Sequence, residues 1–324
     1  MNREGKGAAA GYDIIGDVHG CARTLTLLLE RLGYRQQQGV WRHGRRKALF
    51  LGDIIDRGPR IREALHIVRD MVEAGAAECI MGNHEYHALA WMTPAPPGSG
   101  RQFVRERTER AHRQIRETLE EFEAWPGEWR DFLQWFHRLP LVIDKGDFRL
   151  VHACWDPALI EPFLAQYPDG CVTREFLQAS AEPGSFAHQV QDRLLRGTDM
   201  RLPHGLSMTG RDGLRRSSFR TKFWEENPET YGDIQFQPDP LPDHIAARPL
   251  TDNQKAELLV YGPDEPILFV GHYWQQGNPH PIRPNLACLD YSAVKFGKLV
   301  AYRWDGEHRL QRDNFVWVDV PRLA

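Results

Sequence analysis

The sequence has few cysteines, no long hydrophobic run and nearly balanced charges. Its five cysteines are scattered along 324 residues without the close pairs of a zinc or disulfide framework, which favours a reduced, cytoplasmic protein. No apolar run approaches membrane-spanning length, and residues 1–12 lack the apolar core of a signal peptide. A net charge of −3 supplies no general basic field. These absences predict a protein with no membrane, nucleic-acid or obligate protein partner.

The composition is that of an ordinary globular chain, with 41% hydrophobic and 26% charged residues. We expect one domain over residues 1–324, with a helical insertion at 93–140 and an irregular cap or insertion at 156–266. The first boundary follows from the proline–glycine loop Met92–Gly100, and Pro140 ends the charged helical stretch. The second region mixes basic and Pro, Asp and Asn-rich stretches without clear periodicity.

The amino-terminal part alternates between strand-like and helix-like patterns. The short apolar runs "YDIIGD", "KALFLGD" and "AECIMGN" are separated by two amphipathic stretches. In the first of these, Leu25, Leu28, Leu29 and Leu32 recur at helical spacing. Strand–helix–strand–helix–strand is typical of a parallel sheet with crossover helices, so the sequence predicts an α/β fold.

Five short apolar segments each end in Asp, Asn or His. In an open α/β sheet the carboxyl ends of the strands share one edge, where ligands bind. Each segment alone could be a turn or a helix cap. Their repetition favours one site at a sheet edge. The segments are "YDIIGDVHG" (Tyr12–Gly20), "FLGDIIDRGPR" (Phe50–Arg60), "CIMGNHE" (Cys79–Glu85), "FRLVHACW" (Phe148–Trp155) and "ILFVGHYW" (Ile267–Trp274).

The side chains at these strand ends supply oxygen and imidazole ligands and require no thiolate. Such a set suits hard to borderline divalent ions such as Mn²⁺, Fe²⁺ or Zn²⁺. Six ligands exceed the needs of one structural zinc, and they suit two ions about 3.5–4 Å apart with a bridging carboxylate. A hydroxide held between the ions would be a nucleophile at neutral pH. The predicted ligands are Asp17, His19, Asp53, Asn83, His152 and His272.

Three further side chains stand beside the predicted ligands. His84 directly follows Asn83, and a histidine donates protons to a leaving oxygen near neutral pH. Asp56 is available to hold the tautomer of that histidine. Arg57 offers a planar fork that binds phosphoryl oxygens bidentately. We therefore expect His84 and Asp56 to be catalytic and Arg57 to bind substrate.

The motifs "GDVHG", "GDIIDRGP" and "GNHE", with the two later histidines, resemble the calcineurin-like metallophosphoesterases. More narrowly, they resemble the branch of phosphoprotein phosphatases and symmetrical diadenosine tetraphosphatases. The segment "LACLDYSAVKFGKLVAYRW" is similar to the closing segment of that branch. The resemblance implies a four-layered α/β/β/α sandwich of two mixed sheets. One departure is Cys154, which stands in "VHACW" where the family usually has glycine.

The resemblance also implies roles for individual residues. Asp17, His19 and Asp53 would bind one metal ion, and Asp53 would share the second with Asn83, His152 and His272. Mn²⁺ is the preferred ion, with Fe²⁺ or Zn²⁺ as alternatives. His84 would donate the proton, Asp56 would be its partner and Arg57 would clamp phosphate. For the second phosphate-binding arginine of the family we choose Arg220, with Arg196 and Arg216 as alternatives.

The substrate is the least constrained expectation. The first choice is a dinucleoside polyphosphate such as diadenosine tetraphosphate, and the alternative is a phosphorylated protein, cleaved by a serine/threonine phosphatase. A non-catalytic metal-binding scaffold would be expected to lack ligands or His84. The aromatic residues Trp155, Tyr273 and Trp274 could stack a base or cap the core. The basic run 211–222 could bind polyphosphate or be solvated loop charge.

Overall fold

Two mixed β-sheets pack face to face, with helices on their outer faces. A computed structural model describes residues 11–203, 205–210, 213, 215–236 and 240–320. The strands of these residues are β1 (Gly11–Ile15), β2 (Arg35–Gln37), β3 (Val40–Arg42), β4 (Arg46–Phe50), β5 (Ala77–Cys79), β6 (Val142–Asp144), β7 (Phe148–Val151), β8 (Asp199–Arg201), β9 (Met208–Thr209), β10 (Arg215–Arg216), β11 (Ser218–Arg220), β12 (Ile267–Val270), β13 (Leu286–Cys288), β14 (Asp290–Tyr291), β15 (Lys298–Trp304) and β16 (Phe315–Asp319).

The two sheets contain both parallel and antiparallel pairs. The first has the order β14-β15-β1-β4-β5, with β16 also paired to β15. In it β1, β4 and β5 run parallel, as the alternating pattern predicts, whereas β15 is antiparallel to β1. The second has the order β13-β12-β7-β6, with only β6 antiparallel to its neighbour. The predicted α/β sandwich of two mixed sheets is confirmed.

The strands are apolar on both faces because each sheet is covered on both sides. Along β1, Ile14 packs between the sheets with Phe148 and Phe269 of the second sheet. Its neighbour Ile15 points the other way, into the core that includes helical residues such as Leu25. Continuous apolar runs therefore hold the polar residues that follow them at one fixed edge.

The first two helices follow the two amphipathic stretches of the sequence. The first ends at Gly33, whose φ of 93° is the left-handed conformation that glycine adopts at a helix end. The helices are α1 (Ala22–Leu32), α2 (Ile61–Glu73), α3 (Asn83–Met92), α4 (Glu109–Glu121), α5 (Pro126–Phe136), α6 (Pro157–Gln166), α7 (Arg174–Ser180), α8 (Phe186–Arg196), α9 (Tyr231–Ile234), α10 (Asp243–Ala246) and α11 (Asp252–Glu257), with 3₁₀ turns at Ala293–Lys295 and Arg312–Asn314.

Two parts of the chain lie outside the strand–helix alternation. Helices α4 and α5, within the expected insertion, bury Ile115 and Phe132 in the same core as the first sheet. Helices α6 to α8, which the sequence patterns did not predict, join that core through residues such as Phe163 and Leu194. Residues 199–258 differ, since eight of their apolar side chains form a separate small core. We refer to 199–258 as the cap segment.

Among the described residues, no helix is both long enough and apolar enough to cross a bilayer.

Candidate active site

Polar side chains from both sheets meet at the carboxyl ends of the strands. Asp17 follows β1, Asp53 follows β4 and Asn83 follows β5 at the start of α3. His152 directly follows β7 and His272 follows β12 in the second sheet. The parallel arrangement of these strands brings their ends to one edge, which is why residues far apart in sequence converge.

Asp53 lies at the centre of this cluster. Its Oδ2 is 3.6 Å from Nε2 of His19 and 3.3 Å from Nε2 of His152. Two groups of potential metal ligands share it, one with His19 and His84 and the other with His152 and His272. A carboxylate common to two ligand groups is the geometry that the bridging role requires. The first group includes His84, which the sequence predicts to be a proton donor.

The histidines direct their Nε2 atoms toward other polar groups of the site. That of His19 is 3.2 Å from the Arg57 guanidinium, and that of His152 is 3.1 Å from Oδ1 of Asn83. Nδ1 of His19 donates to the carbonyl of Ile55 at 2.9 Å, and Nδ1 of His152 donates to the carbonyl of Leu51 at 2.7 Å. Each bond fixes the tautomer and leaves the Nε2 lone pair directed into the site. Nε2 of His272 is buried and has no hydrogen-bond partner in the described structure.

The electrostatics of the cluster fit bound cations. Oδ1 of Asp17 is buried without a hydrogen-bond partner, which is unfavourable unless a cation compensates. Burial and the neighbouring Asp290 raise the pKa of Asp17 well above its usual value. Burial, reinforced by the charge of Arg57, lowers the pKa of His19, and burial also lowers that of His272. Burial lowers the pKa of His152 too, but the charge of Asp53 outweighs it and raises that pKa to about 10. Buried imidazoles in contact with crowded carboxylates are the donor set that a divalent ion binds.

His84 and Asp56 form a buried hydrogen-bonded pair. Nδ1 of His84 is 2.5 Å from Oδ2 of Asp56. Burial raises the pKa of Asp56 to about 8 and lowers the pKa of His84 to about 3. Burial therefore disfavours the charged form of both partners. The Arg57 guanidinium is 2.9 Å from Nε2 of His84 and 3.2 Å from Nε2 of His19, at the mouth of the cluster.

Two residues that support the site were not predicted from the sequence. Thr118 of α4 is fully buried, its hydroxyl donates to Oδ1 of Asp56, and it accepts the backbone N–H of Asp56 at 3.1 Å. In the sequence, Thr118 is only a small polar residue on the buried face of a highly charged helix, and nothing in that pattern indicates a contact with Asp56. The other is Glu85, which belongs to the "GNHE" motif but received no role.

The Glu85 carboxylate organises the loop that carries Asp53. It accepts backbone N–H groups from Asp53 and Ile54 at 2.8 Å, from Ile55 at 3.2 Å and from Gly82 at 3.0 Å. Four donors on one buried carboxylate fix the loop against α3. A side chain at Gly82 would collide with Asp53, which explains the glycine before Asn83.

The backbone of the site is strained. Among described residues other than glycine, eight have positive φ, and five of them are predicted site residues. Such conformations cost roughly 1–3 kcal/mol each and persist where the surrounding structure imposes them, often at functional sites. The five are His19 (43°), Asp53 (51°), Asp56 (68°), Arg57 (68°) and His272 (59°).

A cleft of about 560 Å³ opens from this cluster. The three arginines considered for phosphate binding, Arg196, Arg216 and Arg220, all line it, so the structure brings Arg220 and both alternatives to the site. The Arg220 guanidinium lies 5.6 Å from the Tyr273 ring centroid. Of the basic run 211–222, residues 211, 212 and 214 lie outside the described residues.

The three candidate aromatic residues have different environments. Trp155 is 5% exposed, and Tyr273 is completely buried against Phe223 and Phe236. Trp274 is half-buried and lines the cleft. Only Trp274 of the three is therefore placed to contact a molecule in the cleft.

Comparison with known proteins identifies the family. Residues 12–188, more than half of the chain, match the calcineurin-like phosphoesterase family. The chain is 43% identical over 74 residues to the bis(5'-nucleosyl)-tetraphosphatase PrpE (asymmetrical) of Bacillus subtilis, covering 22% of this chain and 30% of that protein. It is 32% identical over 149 residues to the protein of the same name from Geobacillus thermodenitrificans, covering 44% of this chain and 56% of the relative. The chain thus spans between about a third and just over half the length of these relatives.

A solved structure supports the fold over most of the chain. The cold-active protein-tyrosine phosphatase of a psychrophile Shewanella superposes with a TM-score of 0.50 at 15% identity, covering 97% of this chain and 81% of that one. At this identity the likeness concerns the fold alone. The family match and the ligand cluster agree, and the chain belongs to the calcineurin-like phosphoesterases, which are metal-dependent hydrolases.

Proposed function

We propose that this protein is a dinuclear metal-dependent hydrolase that cleaves a phosphoanhydride bond of a dinucleoside polyphosphate such as diadenosine tetraphosphate. One observation carries the proposal. Two ligand groups share Asp53, one of them includes His84, and Asp56 and Arg57 both contact that histidine. The candidate metal ligands, the candidate proton donor and the candidate phosphate-binding arginine therefore lie next to one another, as phosphate hydrolysis requires.

The ligands divide into two sets. Asp17, His19 and Asp53 would hold one ion, and Asp53, Asn83, His152 and His272 would hold the other. Oxygen and imidazole ligands without thiolate favour Mn²⁺, with Fe²⁺ or Zn²⁺ as alternatives. When bound, two such ions supply a nucleophile at neutral pH and neutralise phosphate charge.

The remaining residues act on the substrate itself. Arg57 binds two oxygens of the phosphoryl group and stabilises the charge that develops on them. His84, whose Nδ1 is held by Asp56, donates a proton from Nε2 to the leaving oxygen once Arg57, which contacts Nε2 here, has moved onto the phosphoryl oxygens. Because His84 and Asp56 are both buried and hydrogen-bonded to each other, His84 is oriented before the substrate binds.

The cleft favours an elongated polyanion over a small phosphate. Its volume of about 560 Å³ lies within the roughly 300–1,000 Å³ of small-molecule sites, and Arg196, Arg216 and Arg220 line it in addition to Arg57. The relatives named as asymmetrical bis(5'-nucleosyl)-tetraphosphatases support the same substrate class. Their designation favours ATP and AMP as products over the two ADP molecules of symmetrical cleavage.

A product assay tests the proposal. Protein stripped of metal and reloaded with Mn²⁺ is offered diadenosine tetraphosphate, a phosphothreonine peptide and p-nitrophenyl phosphate in parallel. We expect the highest kcat/KM on the dinucleotide, with ATP and AMP as products. ADP as the only nucleotide product would indicate symmetrical cleavage. A higher kcat/KM on the peptide would contradict the proposed substrate and indicate a protein phosphatase.

A further inference from the structure

One wall of the cleft differs in character from the arginine-lined wall. Trp274, Val294 and Lys295 line it together with Ser292. Trp274 lies two residues after the predicted ligand His272, so chain length alone keeps the Cα atoms of these two residues within about 7 Å of each other. An aromatic ring and an aliphatic side chain this close to the phosphate-binding residues serve no step of phosphate chemistry.

The backbone that carries this wall is held in an uncommon conformation. The 3₁₀ turn Ala293–Lys295 lies between Ser292 and Phe296, whose φ values of 54° and 59° are both left-handed. The N–H groups of Lys295 and Gly297 donate to the Ser292 carbonyl at 2.8 and 3.1 Å, which closes the turn. Non-glycine residues in this conformation cluster at ligand clamps, because the fold must impose them.

The Lys295 ammonium lies 5.4 Å from the centroid of the Trp274 ring. An indole with a cation beside it offers an aromatic surface and a positive charge at one place. A nucleoside phosphate carries the complementary pair, an aromatic base joined through ribose to an anionic phosphate.

From this wall we infer that Trp274, with Val294 and Lys295, forms a nucleoside subsite in which the indole stacks on a base of the substrate. The inference rests on the proposed function and specifies how its nucleotide is recognised. A base is stacked at Trp274, the phosphates attached to it extend toward Arg57 and the arginine wall, and Lys295 contacts the phosphate nearest the ribose.

The test compares the binding of ADP and of inorganic pyrophosphate to Mn²⁺-loaded protein by calorimetry. Pyrophosphate has the phosphates without the base. In Trp274→Leu we expect the affinity for ADP to fall roughly tenfold relative to that for pyrophosphate, the effect of losing one base–aromatic stack. In Trp274→Phe, which keeps an aromatic ring, most of the ADP affinity should return.

Trp125 provides a matched control. It is an exposed tryptophan with the Arg62 guanidinium 4.3 Å from its ring centroid, and it is not among the residues lining the cleft. Trp125→Leu should leave the ratio of ADP to pyrophosphate affinity unchanged. Equal losses for both ligands in Trp274→Leu, or no loss for either, would overturn the inference.

A measurement on the unaltered protein covers the case in which Trp274→Leu does not fold. Ethenoadenosine diphosphate is fluorescent, and stacking on indole should quench it on binding. An unquenched base, together with equal affinity for ADP and pyrophosphate, would refute the subsite. Failure of the proposed function is a separate result, because it would appear as no dinucleotide hydrolysis despite Trp274-dependent ADP binding.

Discussion

The six predicted ligands at the strand ends and the cap segment are held by different kinds of structure. The cluster is built from residues that follow strands of two packed sheets, and all six predicted ligands except His272 are buried there. The cap segment has strands of two or three residues and helices of four to six, around a separate core of eight side chains. It supplies Arg216 and Arg220 to the cleft wall. The sheets thus position the cluster of polar side chains, and a segment with a small core of its own supplies part of the cleft wall that faces it.

The largest effect is expected from a change at Asp53, the residue that both ligand groups share. Asp53→Asn keeps the shape of the side chain but removes its charge, so we expect metal content to fall below one ion per chain. Activity should fall on the order of 10³-fold, because metal ions supply several kcal/mol of transition-state stabilisation. Metal analysis by mass spectrometry and a kcat measurement test this.

The control for Asp53→Asn is another carboxylate of the same cleft. Asp192 pairs with Arg196 at 2.7 Å and belongs to neither ligand group. Asp192→Asn should therefore retain two ions per chain. Two ions retained in Asp53→Asn as well would remove Asp53 from the bridging role.

The next largest effect concerns the proton donor. His84→Ala should keep its metal and lose about 10²–10⁴-fold in kcat, the range that general acid catalysis contributes. The loss should be greatest for substrates with poor leaving groups, since good ones leave without a proton. His87, whose ring centroid is 6.4 Å from that of His84, provides the control variant His87→Ala. If the loss of kcat in His84→Ala is the same for good and poor leaving groups, His84 is not the general acid.

The sequence predicts the cluster better than it predicts the residues around it, for a physical reason. Asp17, Asp53 and Asn83 each follow an apolar run, and parallel strands must bring such positions together. Thr118 reaches Asp56 only because α4 packs over the site, a long-range contact without a local pattern.

The hydroxyl of Thr118 tests whether an element outside the sheets also positions the chemistry. Thr118→Val keeps the shape but removes the bond to Asp56, so His84 should be oriented less well. We expect kcat to fall roughly tenfold, since leaving a buried polar group of Asp56 without its hydrogen-bond partner costs about 1–3 kcal/mol. Thr118→Ser should restore most of the rate. Similar losses in both variants would mean that packing, and not the hydroxyl, matters at this position.

The smallest effect on catalysis is expected from a change in the core of the cap segment. Ile234 is fully buried in that core, and Ile234→Ala should destabilise the segment by about 2–5 kcal/mol. Because the cap segment carries Arg216 and Arg220 but none of the predicted metal ligands, KM for the dinucleotide should rise several-fold while metal content stays at two ions.

Ile14→Ala, the same change between the two sheets, should instead lower the stability of the whole fold and its metal content together. Hydrogen exchange separates the two cases, since only the cap segment should lose protection in Ile234→Ala. Loss of protection throughout both sheets in that variant would show that the cap segment and the sandwich unfold as one unit.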